Sequence, residues 1–261
     1  QDPPPFVSFS FLSFHPAEAC QFVQAKQAVL FLYCSRQSRT SRRFRRQRPR
    51  TTPTKSAMYI TTLVSKPRNF ERLLEDLLEV SRFDAEVAVL EAVDFDIVQL
   101  VNRCAEDLAL VAKERKTEIF VKSSEPVIMI KADIRRVERI LRNLMANAID
   151  HSEEMQVDIR IVASEHDVAV GVRDYGVGLD ENALTRVFDR FWRGDPSRAR
   201  TRGGTGLGLS IALEDARLHN GELEAWGRPA RGAHFVVTLP RNTWESIDQR
   251  LIPLQPEDYK A

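Results

Sequence analysis

Gly203-Gly204-Thr205-Gly206-Leu207-Gly208-Leu209-Ser210 places four glycines in six residues, directly before an apolar, helix-patterned run from Leu207 to Leu218. Glycine reaches positive φ without strain and lets backbone approach a ligand closely. The first turn of the following helix offers unpaired N–H groups and the positive end of a dipole, which suit a phosphate. Alone, the stretch reads equally well as a turn before a helix. Its meaning depends on three other segments that precede it in order.

The first is a helix. Asp133 is placed to cap it, and Ile134, Val137, Ile140, Leu141, Leu144, Met145, Ala148 and Ile149 form its apolar stripe. Asn143 and Asn147 lie four apart, on one face beside that stripe. Amide oxygens can ligate Mg²⁺, a hard cation that keeps several waters and leans on substrate phosphates. The bland alternative is a pair of solvated asparagines. The second segment, Arg173-Asp174-Tyr175-Gly176-Val177-Gly178, ends a strand. A carboxylate there can accept a hydrogen bond from an exocyclic amine such as that of adenine, and the glycines give a flat base room. It also reads as a simple strand-to-turn signal. The third, Phe188-Asp189-Arg190-Phe191-Trp192-Arg193, alternates aromatics with arginines that can face a terminal phosphate. Arg198, Arg200 and Arg202 add positive charge to the loop before the glycines.

Between these segments the pattern is mixed. Short strands are expected at Val87–Phe95, Ile119–Val121, Val127–Ile130, Val157–Val162, Val168–Val172, Glu222–Trp226 and His234–Leu239. Further helices are expected at Ile97–Lys113 and Leu207–His219. This order predicts a two-layer α/β sandwich of about 150 residues.

Net charge is +1 over 261 residues, but the charge is divided. Residues 1–68 hold two acids against twelve bases, while the remainder carries 35 acids against 26 bases. Eight arginines fall between residues 36 and 50. This segment has no apolar period, so residues 1–67 are predicted to be an unstructured Arg/Ser-rich leader of separate origin. An arm for nucleic acid or an anionic membrane, and a targeting segment, are the alternatives. Residues 68–84 carry an amphipathic stripe (Phe70, Leu73, Leu74, Leu77, Leu78) that needs a partner, either its own domain or a second copy of the helix. Cys20, Cys34 and Cys104 show no metal-ligand or disulfide spacing, which points to a reducing compartment. No apolar run approaches the ~18–20 residues that span a bilayer.

Taken together, the four segments resemble the ATP-binding domain of sensor histidine kinases, the Bergerat (GHKL) fold. The resemblance runs through Arg139-Ile-Leu-Arg-Asn-Leu-Met-Ala-Asn147-Ala-Ile, Asp174-Tyr-Gly-Val-Gly178, Phe188-Asp-Arg-Phe-Trp-Arg193 and Gly204-Thr-Gly-Leu-Gly-Leu209. It covers about residues 68–240. It implies the end of a dimerising helical hairpin at 68–84, an ATP-binding domain at 85–240 and a tail at 241–261. It implies ATP and Mg²⁺ as cofactors, with Asn147 as metal ligand and Asn143 assisting. Asp174 would hold the adenine amine, with Gly176 and Gly178 lining the base pocket. Arg193, and with it Arg190, would meet the γ-phosphate. Gly204, Thr205, Gly206, Leu207 and Gly208 would form the lid hinge and phosphate cradle. The implied partners are a phosphoacceptor helical hairpin, a response regulator and a second copy of the chain, in the cytoplasm.

Two departures qualify this. Many members carry Lys three residues after the metal-binding Asn, where this chain has Asp150. None of its histidines (His15, His151, His166, His219, His234) stands in a phosphoacceptor box. ATPases of this fold place Glu where Asn143 stands, and an amide cannot act as a base at pH 7. The expectation is therefore a domain that holds ATP while another domain's imidazole attacks, and that does not phosphorylate itself. The alternative class is a truncated, non-catalytic module that binds nucleotide or a partner.

Overall fold

A computed structural model describes residues 89–194 and 205–259, together with residues 76, 78, 79, 81 and 83. Residues 1–67, expected to be a leader, Gly204 and the arginines at 198, 200 and 202 lie outside the described residues.

Eleven elements follow in order: β1 (Val93–Asp96), α1 (Ile97–Glu114), β2 (Ile119–Ser123), β3 (Met129–Ala132), α2 (Ile134–His151), β4 (Val157–Ala163), β5 (Asp167–Asp174), α3 (Glu181–Arg186), α4 (Gly208–Leu218), β6 (Glu222–Gly227) and β7 (Ala233–Pro240). Five strands form one sheet in the order β2-β4-β5-β7-β6. Its β2–β4 pair is parallel and the rest are antiparallel. β1 and β3 form a separate antiparallel pair.

The helix caps are local chemistry. Asp96 accepts from Val98 N, and Asp133 from Arg135 N and Arg136 N. Each satisfies amides that the first turn leaves unpaired. Along α2 the predicted stripe from Val137 to Ile149 is fully buried. It packs with α1 and α4 on one sheet face, where Ile159, Val170, Val172, Phe235 and Val237 complete the core. This is the predicted two-layer sandwich.

Two strand expectations need correction. Among the described residues the first strand is Val93–Asp96, and residues 89–92 before it are not strand. β3 begins at Met129, because Ile128 N donates to Asp96 Oδ1 while Ile128 O accepts from Ile97 N, which uses both its backbone groups before the β1 pairing starts. The segment read from the sequence as a tail is packed over residues 241–259. They run across the outer face of the sheet, where Ile252, 3% exposed, packs on Ala169 and Val236. Asp167, fully buried, accepts from Asp248 N and Gln249 N through Oδ2, and His234 Nδ1 bonds Leu254 O at 2.9 Å.

Candidate nucleotide-binding site

The four motif segments meet pairwise. Asn143, half-buried on α2, donates from Nδ2 to Gly208 O at 2.9 Å. A Cβ on Gly208 would lie 3.0 Å from Asn143 Oδ1, so a larger residue at this helix start would press on the Asn143 amide. The loop after β5 rests on the end of α2: Val177 N donates to His151 O, and a Cβ on Gly176 would fall 1.8 Å from that same oxygen. Phe191 N donates to Gly206 O at 2.9 Å, joining the aromatic segment to the glycine loop. Gly206 and Gly178 both have positive φ, +74° and +71°. A Cβ on Gly178 would meet Arg228 O at 1.8 Å. Chain-to-chain approach thus explains Gly176 and Gly178, a reason beyond the room for a base read from the sequence.

Asp174 ends β5 and is 1% exposed. Its Oδ1 accepts from Gly176 N at 3.1 Å, and its Oδ2 is buried with no partner. Burial pushes its carboxyl up to about 6, against the lowering effect of amide bonds from Gly176 and Ala233. A buried acceptor left without a donor is costly, and Asp167 Oδ1 on the outer face shares that state among the described residues; at Asp174 a donor from a ligand would relieve it. An exocyclic amine fits that need.

Asn147 is half-buried one turn beyond Asn143, and its side chain has no hydrogen bond among the described residues. Its amide oxygen suits a hard cation that retains waters. Arg193 is half-buried with no ion pair among the described residues, while Arg190 is exposed. Phe188 anchors this segment edge-on to Phe235, with ring centroids 6.3 Å apart. Leu207, fully buried, precedes α4 at the cap position and makes no side-chain cap bond. Among the described residues, the first-turn amides of that helix have no side-chain acceptor. Asp150, which stands where many relatives of the resembled family carry Lys, pairs at 3.2 Å with Arg115, the residue that follows α1.

Two clusters escaped the sequence reading. Asp215 on α4, fully buried, accepts from Arg136 Nη1 (2.9 Å) and Arg139 Nε (2.7 Å) of α2. Arg139 Nη2 also reaches Glu79 at 3.0 Å, and Thr205 Oγ1 donates to Asp76 Oδ2 at 3.0 Å. Asp76, Glu79 and Phe83 are helical, so polar side chains of the 68–84 segment contact the domain, while Leu78, the one described residue of its apolar stripe, is 49% exposed. The signal available was an acid on the same face as Ile211 and Ala212. The second cluster surrounds Arg173 on the outer sheet face. A hollow of about 530 Å³ between α1 and β2, lined by Ala109, Lys113 and Lys116, contains none of the motif residues.

Residues 132–243 match the family described as histidine kinase-, DNA gyrase B-, and HSP90-like ATPase. More particularly, the chain is 50% identical over 194 residues to the sensor histidine kinase MtrB of Mycobacterium leprae, covering 74% of this chain and 34% of that one. It thus spans about a third of the length of the curated relatives it matches. The crystal structure of full-length ShkA in complex with AMPPNP is 29% identical with a TM-score of 0.61, covering 73% of this chain and 40% of that one. The nucleotide-free catalytic domain of histidine kinase ThkA, 22% identical with a TM-score of 0.53, covers 59% of this chain and 98% of that domain. It has the same fold.

Proposed function

We propose that this chain supplies the ATP-binding, phosphate-donating part of a two-component sensor histidine kinase, acting in the cytoplasm. The observation that carries the reading is the buried, unpartnered Oδ2 of Asp174 at the end of β5. Asp174 reads the exocyclic amine of adenine, and Gly176 and Gly178 hold the loop beside it. Asn147, helped by Asn143, holds Mg²⁺ beside the phosphates. Arg193, with Arg190, faces the γ-phosphate, and residues 204–208 cradle the phosphate chain. Bound ATP supplies the phosphoryl group. Catalysis of such a transfer is mostly positioning and charge stabilisation, and none of these side chains forms a covalent bond. The acceptor is a histidine on a helical hairpin, from which a response-regulator aspartate takes the group.

Calorimetry with ATP and GTP tests the reading. ATP should bind and GTP should not compete. Asp174→Asn exchanges an acceptor for a donor at the same size. An unmatched buried polar group costs about 1–3 kcal/mol, a loss of roughly ten- to a hundred-fold in affinity. Equal affinity for the two nucleotides would sink it. A second reading, a module that binds nucleotide without transferring phosphate, rests on the lack of a phosphoacceptor box among the five histidines.

A further inference from the structure

β5 alternates. Val170 and Val172 face the helices, and Asp174 shares their parity, while Ala169 faces the outer side beneath Ile252. Arg173 is therefore on the outer side, and it is 6% exposed there. A nearly buried guanidinium needs partners, and those it has are informative. Nη1 donates to the backbone oxygen of Asp174 at 2.8 Å, and Nη2 to that of Arg231 at 2.7 Å. The Arg173 guanidinium stacks on Tyr175, 4.7 Å from the ring centroid, and lies 5.2 Å from that of Trp226. Tyr175 is itself fixed by Asp158 Oδ2 at 2.7 Å. From the C-terminal segment, Asp258 approaches Arg173 to 3.7 Å and Tyr259 packs edge-on against Trp226 at 4.9 Å.

The two oxygens that Arg173 grips belong to the two backbone segments that frame the Asp174 carboxylate. One is the β5 end, which leads to the Gly176 amide that bonds Asp174 Oδ1. The other is the β6–β7 turn, whose Gly232 donates to Gly176 O and whose Cβ position lies 1.9 Å from Asp174 O. A planar fork with two donors at fixed separation holds two acceptors at a fixed spacing, which a lysine cannot do.

We propose that Arg173, seated under residues 251–259, is a positioning residue that sets the base-reading carboxylate of Asp174 from the opposite face of the sheet. This rests on the adenine reading of Asp174 above. It makes the C-terminal segment part of the nucleotide site without touching nucleotide.

The test is Arg173→Lys in the full chain, with two measurements. Hydrogen exchange of the Gly176 and Ala233 amides is followed in the nucleotide-free protein, and ATP affinity by calorimetry. Faster exchange at both amides and affinity lower by roughly tenfold are expected. Asp215→Ala, destabilised elsewhere, should leave Gly176 exchange below global unfolding unchanged. If exchange rises while affinity holds, Arg173 is structural only and the proposal is overturned. If affinity falls without a change in exchange, positioning is also overturned. A wild-type chain that binds no ATP, yet still shows the exchange response on substitution, rejects the adenine reading and this proposal with it. Should Arg173→Lys not fold, Tyr259→Ala leaves the fork intact but removes the ring on Trp226. It should move both readings in the same direction by about two- to three-fold, and no movement in either would overturn the proposal.

Discussion

The Asn143 side chain donates from Nδ2 to Gly208 O across 2.9 Å, so the helix carrying both asparagines also grips the first residue of α4. Asn147, one turn on, has no such bond among the described residues. The two asparagines should therefore separate on substitution. Asn143→Ala removes a bond worth about 1 kcal/mol and lowers the melting temperature by a few degrees. Asn147→Ala should change stability by no more than about 0.5 kcal/mol, while abolishing the Mg²⁺ dependence of ATP affinity. Thermal melts and calorimetry with and without Mg²⁺ decide it. Equal loss of stability in both variants would show that Asn147 is structural.

Asp174 sets a pH dependence with two signs. Burial raises its carboxyl from 3.8 to about 6. Above pH 6 it is ionised and both oxygens accept. Below that, one oxygen carries a proton and confronts the adenine amine, so ATP affinity should drop by up to about tenfold per pH unit. In the nucleotide-free protein the sign reverses. A raised folded pKa contributes stability that is present below about 3.8 and lost as pH rises through 6. Calorimetry from pH 5 to 8 should show the affinity loss in the wild type and a flat profile in Asp174→Asn. A flat wild-type profile would argue against a carboxylate at the base.

The Asp215 cluster predicts a large structural effect. Asp215 is fully buried between Arg136 and Arg139. Removing the fully buried member leaves Arg136 and Arg139 to share Glu79, with Asp133 beside Arg136; breaking a buried ion pair in this way costs about 3–5 kcal/mol. Asp215→Ala should lose that much in chemical denaturation. A loss below about 1 kcal/mol would mean that water reaches both guanidinium groups.

How legible was this in the sequence? The α2 stripe and its Asp133 cap were readable because burial repeats with the helical period over 18 residues. Helix α3 was not, since six residues with one buried Ala183 carry no period. The segment over the outer face was missed for a related reason. Its anchors are single polar contacts, Asp167 to Asp248 and Gln249 and His234 to Leu254, and such contacts leave no pattern. The candidate site residues were chosen through order and spacing. Arg173 and Asp215 were not, because their partners come from distant segments.

His219 is fully buried and neutral in its setting. Its Nδ1 bonds Asp215 O at 2.6 Å and its Nε2 accepts from Asp133 N at 3.1 Å, so the proton sits on Nδ1. Desolvation lowers its pKa despite the nearby Asp215 and Asp133 carboxylates, and burial lowers that of His234 as well. A lowered folded pKa gives stability that is complete above the unfolded value of about 6.5 and lost as pH falls below it. The interval between 6.5 and 6 belongs to these histidines, because Asp174 begins to act only near 6 and in the opposite direction. Melting temperature should fall from pH 7 to 6, and His219→Gln should be less stable at pH 7.5 with a shallower slope. An unchanged slope would assign the effect elsewhere.

The last expectation concerns phosphate transfer. A nucleophile must reach the γ-phosphate in line, at about 3–3.5 Å. His219 is locked at both ring nitrogens, and His234 is held beneath the C-terminal segment. His166 sits in the turn between β4 and β5. His151 is half-buried on the last turn of α2, and its ring moves with the same rigid helix as Asn147. Four residues of helix rise only about 6 Å, which leaves it beside the phosphates rather than opposite the leaving oxygen. His15 lies outside the described residues. Incubation with γ-labelled ATP should therefore leave this chain unlabelled, and a phosphoacceptor hairpin added in trans should gain acid-labile phosphate. Asn147→Ala and Arg193→Ala should each suppress that gain by at least roughly tenfold, since Arg193 has no other partner among the described residues. Label on this chain alone, lost when one of its own histidines is replaced, would overturn the donor-only reading and name the acceptor.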